Sequence, residues 1–184
     1  MSNPNPSTIA AEAHERGLAY FRAAQYPEAL KELERAAATS AAVGDKQTSA
    51  ETANDLGATL QKLKKRDGAR KQFETALTLF TELGDDNRRA QAMGNLGTLL
   101  ADMKKYRDSE IRLEQAAEIF HRLGDMQSEA FTLKWLSRVH LRQWDFLGAI
   151  FAYERALARL EPLPPDQKLL RQIFQIPLRI LSRG

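Results

Sequence analysis

Val43-Gly44-Asp45, Leu83-Gly84-Asp85 and Leu123-Gly124-Asp125 recur at intervals of 40 residues. A fixed period of this length constrains the fold more than any other feature of the chain. It makes the protein a row of similar supersecondary units, none of which can bury its apolar face alone. The same step links Ala10, Ala50, Ala90 and Ala130, and it links Gly17, Gly57, Gly97 and Ser137. It also links Leu33, Phe73, Leu113 and Tyr153, and then Ala36, Ala76, Ala116 and Ala156. One further step reaches Leu163-Pro164-Pro165-Asp166, another helix stop.

Each unit reads as two helices. Ala50, Ala53, Leu56, Gly57 and Leu60 follow the three/four spacing of one helical face, and Ala69, Phe73, Ala76, Leu77 and Phe80 repeat it on a second helix. The polar stretch Lys64-Lys65-Arg66-Asp67-Gly68 reads as the turn between them. No sustained period-two alternation suggests a strand. At each Gly-Asp junction the glycine can take the left-handed conformation that closes a helix, and the aspartate can accept from the free N–H groups of the next. Small residues, Gly57 and Gly97 on first helices and Ala69 and Ala76 on second helices, let the paired backbones approach closely.

This pattern resembles the tetratricopeptide repeat. The matching residues are Leu56, Gly57, Leu60, Ala69, Phe73 and Ala76, recurring as Leu96, Gly97, Leu100, Ser109, Leu113 and Ala116. The first unit matches through Gly17, Tyr20, Tyr26, Ala29, Leu33 and Ala36. The 40-residue unit with its Leu-Gly-Asp ending, together with Asn95-Leu96-Gly97, resembles the longer units of kinesin light chain and of Pins-type spindle adaptors. The resemblance implies an all-α, right-handed superhelical solenoid of stacked helix-turn-helix hairpins. About four repeats are expected, over 9–45, 46–85, 86–125 and 126–165, behind a disordered segment 1–8. Residues 166–184 are expected to form a C-terminal capping helix and basic tail, with Ile173, Ile176 and Ile180 on the stack and a kink at Pro177. Arg16, standing where later units have Leu56, Leu96 and Leu136, suits a first helix with no neighbour on its outer side.

Composition narrows the function. Cysteine is absent, which removes disulfides, thiolate catalysis and cysteine zinc sites and fits a reducing, cytoplasmic setting. The N-terminus shows no secretory signal and no run is long and apolar enough to span a membrane, so no integral membrane association is expected. The net charge of +3 resides in the tail, where Lys168, Arg171, Arg179 and Arg183 face one acid, Asp166. A nucleic-acid binder would carry that excess on its folded body. His14, His121 and His140 lie in separate units without metal-ligand spacing, and His140 takes the packing place of Leu60 and Leu100. Ser137 and His140 lack a nucleophile elbow and an orienting acid. No catalytic residue, metal site or cofactor is expected.

Binding is the better direction, and the resemblance implies that first helices line the concave side. That face shows Phe21 in unit one, Glu51, Asn54 and Asp55 in unit two, and Asn95 and Thr98 in unit three. In unit four it shows Phe131, Lys134, Trp135, Arg138 and Arg142. Aromatic and arginine side chains dominate binding hot spots. Lys134, Arg138 and Arg142, four apart around an indole, predict capture of a protein or peptide segment carrying acidic and apolar residues. Members of the family that clamp chaperone tails use a lysine and asparagine set. Asn95 matches one place in it, whereas Leu18, Asp55 and Ala58 stand where other clamp groups are needed. Two further features stand out. Phe174, Leu178 and Leu181 give the tail more apolar surface than a cap requires, which predicts an oligomer contact. Trp144 falls in a turn, 40 residues after Lys104, as expected of a ring covering the junction with the last helix.

Overall fold

The computed structural model describes residues 5–160 together with Lys168, Leu169 and Gln172. Its described residues form helices and turns without a strand. The helices are α1 (Pro6–Arg22), α2 (Tyr26–Ala42), α3 (Lys46–Lys62), α4 (Arg66–Leu83), α5 (Asp86–Asp102), α6 (Tyr106–Leu123), α7 (Met126–Arg142) and α8 (Phe146–Ala158). The chain divides into two compact units, Met1–Leu99 and Leu100–Gly184. The readings placed on Ile173, Phe174, Ile176, Pro177, Leu178, Ile180 and Leu181 fall outside the described residues.

Two boundaries differ from expectation. Residues 6–8, expected in the disordered leader, belong to α1. Pro6 at the first helical position is preorganised for a helix, and Asn5 accepts from the Ser7 N–H. Arg66, Asp67 and Gly68, read as turn, form the first residues of α4. The turn needs only Leu63, Lys64 and Lys65, because Lys64 adopts a positive φ of 62° and the Lys65 N–H reaches back to Leu60 O at 2.9 Å.

The Gly-Asp junctions close as their chemistry requires. Gly44, Gly84 and Gly124 have φ of 71°, 69° and 71°. The N–H groups of Asp45, Asp85 and Asp125 return to Ser40, Phe80 and Phe120 at 2.9, 3.0 and 3.0 Å. The three aspartate side chains then accept from Thr48, Arg88 and Ser128 N–H groups at 3.0, 2.9 and 3.0 Å. One Gly-Asp pair thus satisfies the end of one helix and the start of the next.

Within the first unit, Ala50, Ala53, Ala76, Phe80 and Ala92 form a buried cluster with Leu77 and Leu79 against it. Two glycines set the helix spacing. A Cβ on Gly17 would lie 2.6 Å from Leu33 Cγ, and one on Gly57 would lie 2.6 Å from Phe73 Cδ1. In the second unit, Leu113, Leu133, Leu136, Val139, Ala152 and Ala156 anchor the core. Ser137 fills the glycine place there, and its hydroxyl donates to Ala149 O at 2.8 Å.

Candidate functional site

First helices of the first unit are tied together by polar pairs. His14 of α1 donates from Nε2 to Asp55 Oδ2 of α3 at 2.7 Å. Asn95 of α5 donates to Asn54 Oδ1 at 3.0 Å. Both pairs are 41 residues apart, one more than the repeat, because side chains meet across neighbouring helices one position out of step. Arg88 adds a third tie, with Nη2 3.0 Å from Glu51 Oε1. The His14 ring is buried. Its hydrogen bond to Asp55 lifts its pKa above the usual value of 6.5, against burial, and the charges of Asp55, Glu51 and Glu15 add to the rise.

These residues enclose a cleft of about 200 Å³ lined by His14, Glu51, Asn54, Asp55, Arg88 and Gln91, with Phe80. Glu51, Asn54 and Asp55 were expected on this face. Asn95 adjoins them through Asn54, so it serves as a helix–helix hydrogen-bonding residue. Thr98 lies one turn further along α5 and donates to Asn95 O at 2.9 Å. Phe21 stands apart from the cleft, edge-on to Tyr26 with centroids 5.5 Å apart. Sequence reasoning placed Gln91 on this face of the third unit but gave no site role to Arg88 or Phe80. A search for complementary side chains at 41 as well as 40 would have found the histidine and asparagine pairs, though not Arg88.

The second unit presents a different surface on α7. Phe131 is 65% exposed, while Trp135 is half-buried against the core cluster containing Leu133 and Leu136. The Arg138 guanidinium carbon sits 4.8 Å from the centroid of the Trp135 ring. Arg142 Nη1 lies 3.5 Å from Asp102 Oδ1. Lys134 is half-buried. Phe131, Trp135 and Arg138 thus follow one another at four- and three-residue spacing along α7, Phe131 and Arg138 exposed and Trp135 half-buried, while Arg142 is engaged by Asp102.

The remaining titratable groups are structural in their contacts. His140 is half-buried as expected, yet it does more than pack: Nδ1 lies 2.9 Å from Asp145 Oδ2 and 3.4 Å from Glu110 Oε1. Buried Glu129 accepts from Arg159 Nε at 2.8 Å and lies 3.2 Å from His121 Nδ1. Sequence reasoning overlooked this carboxylate, whose equivalents in the preceding units are Ser49 and Arg89. Among the described residues, no group of three or more His, Asp or Glu side chains could hold a metal ion. No helix among them is long and apolar enough to cross a membrane.

A family profile described as tetratricopeptide repeat matches residues 9–82 and 48–122. No individually curated protein matches the chain by sequence. Among solved structures, BtubC (BKLC) of P. vanneervenii is similar at a TM-score of 0.80 and 22% identity, over 89% of this chain and 70% of that one. The nearly identical TPR-like repeats assigned to a Podosopora anserina kinesin light chain align at a TM-score of 0.76 and 17% identity, over 94% and 84% of the two chains. Aspartyl phosphate phosphatase F of Bacillus subtilis aligns at a TM-score of 0.79 and 13% identity, over 94% of this chain and 44% of that one. At these identities the structural likeness speaks to fold alone.

Proposed function

Because the chain belongs to the tetratricopeptide repeat family, we propose that it is a protein-interaction adaptor that captures a peptide or helical segment of a partner on its first-helix faces. The observation that carries this reading is the surface of Phe131, Trp135 and Arg138. Burial against the core fixes the Trp135 ring, the guanidinium lies over it, and Phe131 stands open beside it. A rigid aromatic with a cation on its face offers an apolar platform and a carboxylate partner at once. The segment it suits carries an acidic residue next to an apolar one. The polar cleft of the first unit suits hydrogen bonding to backbone or amide groups through Asn54, Gln91 and Arg88. The absence of cysteine supports a reducing, cytoplasmic setting for this adaptor.

Trp135 supports the core, so replacing it would mix folding with binding. Phe131→Ala combined with Arg138→Glu removes the exposed groups instead. A partner is first identified by affinity capture with the natural chain, and its bound segment is then titrated against both proteins. The double variant should bind at least tenfold more weakly while keeping its helical circular dichroism and Tm. Equal affinity in the double variant rules out this face.

A further inference from the structure

The cleft of the first unit holds acids that the repeat does not require. Glu51 aligns with Ala11, Gln91 and Phe131, and Asp55 aligns with Glu15, Asn95 and Trp135. The ties between first helices say the same. His14–Asp55 joins α1 to α3, but the neutral Asn54–Asn95 pair joins α3 to α5 at the equivalent places. Stacking accepts an amide where the cleft holds a carboxylate.

The groups left open in the cleft define what enters it. Glu51 accepts at Oε1 from Gln47 and Arg88, and Asp55 accepts at Oδ2 from His14. Gln91 donates from Nε2 to Asn87, and Arg88 Nη1 is held by Asp85. Among the described residues, Glu51 Oε2, Asp55 Oδ1 and Gln91 Oε1 have no protein partner. Three acceptor oxygens remain, two of them on carboxylates whose side chains are each 27% exposed, partly desolvated yet within reach. The charge agrees, because Glu51, Asp55 and Asp85 outnumber Arg88 and His14 even when the imidazole is protonated. An anion would meet two carboxylates here. A neutral amide would strip water from them without answering their charge. A cation with several N–H donors satisfies all three oxygens. The cleft of about 200 Å³ is smaller than the roughly 300–1,000 Å³ of a small-molecule pocket, so it suits one side chain. Phe80 on its wall offers an apolar contact to a methylene stem.

We propose that this cleft receives an arginine side chain of the captured partner segment, its guanidinium donating to Glu51, Asp55 and Gln91. This assignment rests on the adaptor reading and adds a charged anchor to the hydrogen bonds the cleft makes with backbone. Arginine suits it better than lysine, because a guanidinium is more weakly hydrated than an ammonium and presents five donors in a planar fork.

Blocked tripeptides with a central arginine, lysine or citrulline between two alanines test it. Citrulline keeps the planar group and loses the charge. Each peptide is titrated at neutral pH into the isotope-labelled full-length chain, and the side-chain amide signals of Asn54 and Gln91 are followed. The arginine peptide should shift these signals to saturation, and the citrulline peptide should bind roughly tenfold more weakly, as expected for loss of a charge-assisted contact. The repeat supplies the variants. Glu51→Gln installs the residue that Gln91 provides one repeat later, and His14→Asn with Asp55→Asn reproduces the Asn54–Asn95 pair. Each variant should weaken the arginine peptide roughly tenfold while keeping its helical circular dichroism. Absence of shifts, equal binding of arginine and citrulline, or full affinity in both variants overturns the assignment. Tighter binding of the lysine peptide, or of the free polyamine spermidine, also overturns it and gives the cleft to an ammonium group. Failure of the adaptor reading shows in the Phe131→Ala, Arg138→Glu titration, whereas failure of the arginine site shows only in these peptides.

Discussion

Glycine shows how much one missing methyl group determines. At Gly57 an added Cβ would meet Phe73, which is fully buried and has no room to withdraw, whereas at Gly94 it would meet nothing within 4 Å. Both lie inside helices, where alanine is the better residue by roughly 0.5–1 kcal/mol. Gly57→Ala should therefore destabilise by about 1–3 kcal/mol through overpacking, and Gly94→Ala should stabilise by up to about 1 kcal/mol. Urea midpoints at constant slope separate the two. His14 makes the second prediction at this scale. Its folded pKa is raised above 6.5 by the Asp55 hydrogen bond, so the protonated ring favours the folded state. That contribution is complete below pH 6.5 and fades as pH rises through the raised folded value. Denaturant unfolding from pH 6 upward should show the natural chain losing stability relative to His14→Gln. Parallel profiles would show that the pair carries no charge coupling.

At the scale of helices, every described turn from α1 to α8 reverses through one left-handed residue. Junctions between hairpins use Gly44, Gly84 and Gly124, but the turns within hairpins use Ala24, Lys64, Lys104 and Trp144. A residue with a Cβ at positive φ costs roughly 1–2 kcal/mol relative to a helical conformation, a cost glycine avoids. Lys64→Gly and Lys104→Gly should each stabilise by about 1 kcal/mol, because glycine takes the left-handed conformation without a Cβ clash. Thermal melts of the two variants test this, and a loss of stability in either would mean that the lysine makes a compensating contact. The sequence announced the inter-hairpin turns through Gly-Asp. It concealed the others, because only the closed backbone reveals that a lysine has been forced into the left-handed region.

For a molecule assembled from repeats, stability is set by what each hairpin packs against. Within the first unit and among the described residues, α1 and α2 pack on α3, while Ala76 and Phe80 of α4 join a cluster that also holds Ala50 and Ala53 of α3 and Ala92 of α5. Hydrogen exchange should therefore find the Leu33 amide opening at least tenfold faster than that of Phe73, although both side chains are fully buried. Equal protection would mean that the unit opens as a whole.

The period by itself determined the helical pairs, the small residues at their close approaches and the buried set. Ala10, Ala50, Ala90 and Ala130, and likewise Ala36, Ala76, Ala116 and Ala156, are all at most 1% exposed. Such residues are legible because packing inside a repeat depends on local spacing, which recurs. The tertiary structure decided what depends on side chains meeting between helices. It paired His14 with Asp55, Asn95 with Asn54 and Arg88 with Glu51, and it placed the Arg138 guanidinium over Trp135. It also left Trp144 exposed, where a ring covering the last junction had been expected. These outcomes turn on rotation and offset between neighbouring helices, which a one-dimensional period does not encode.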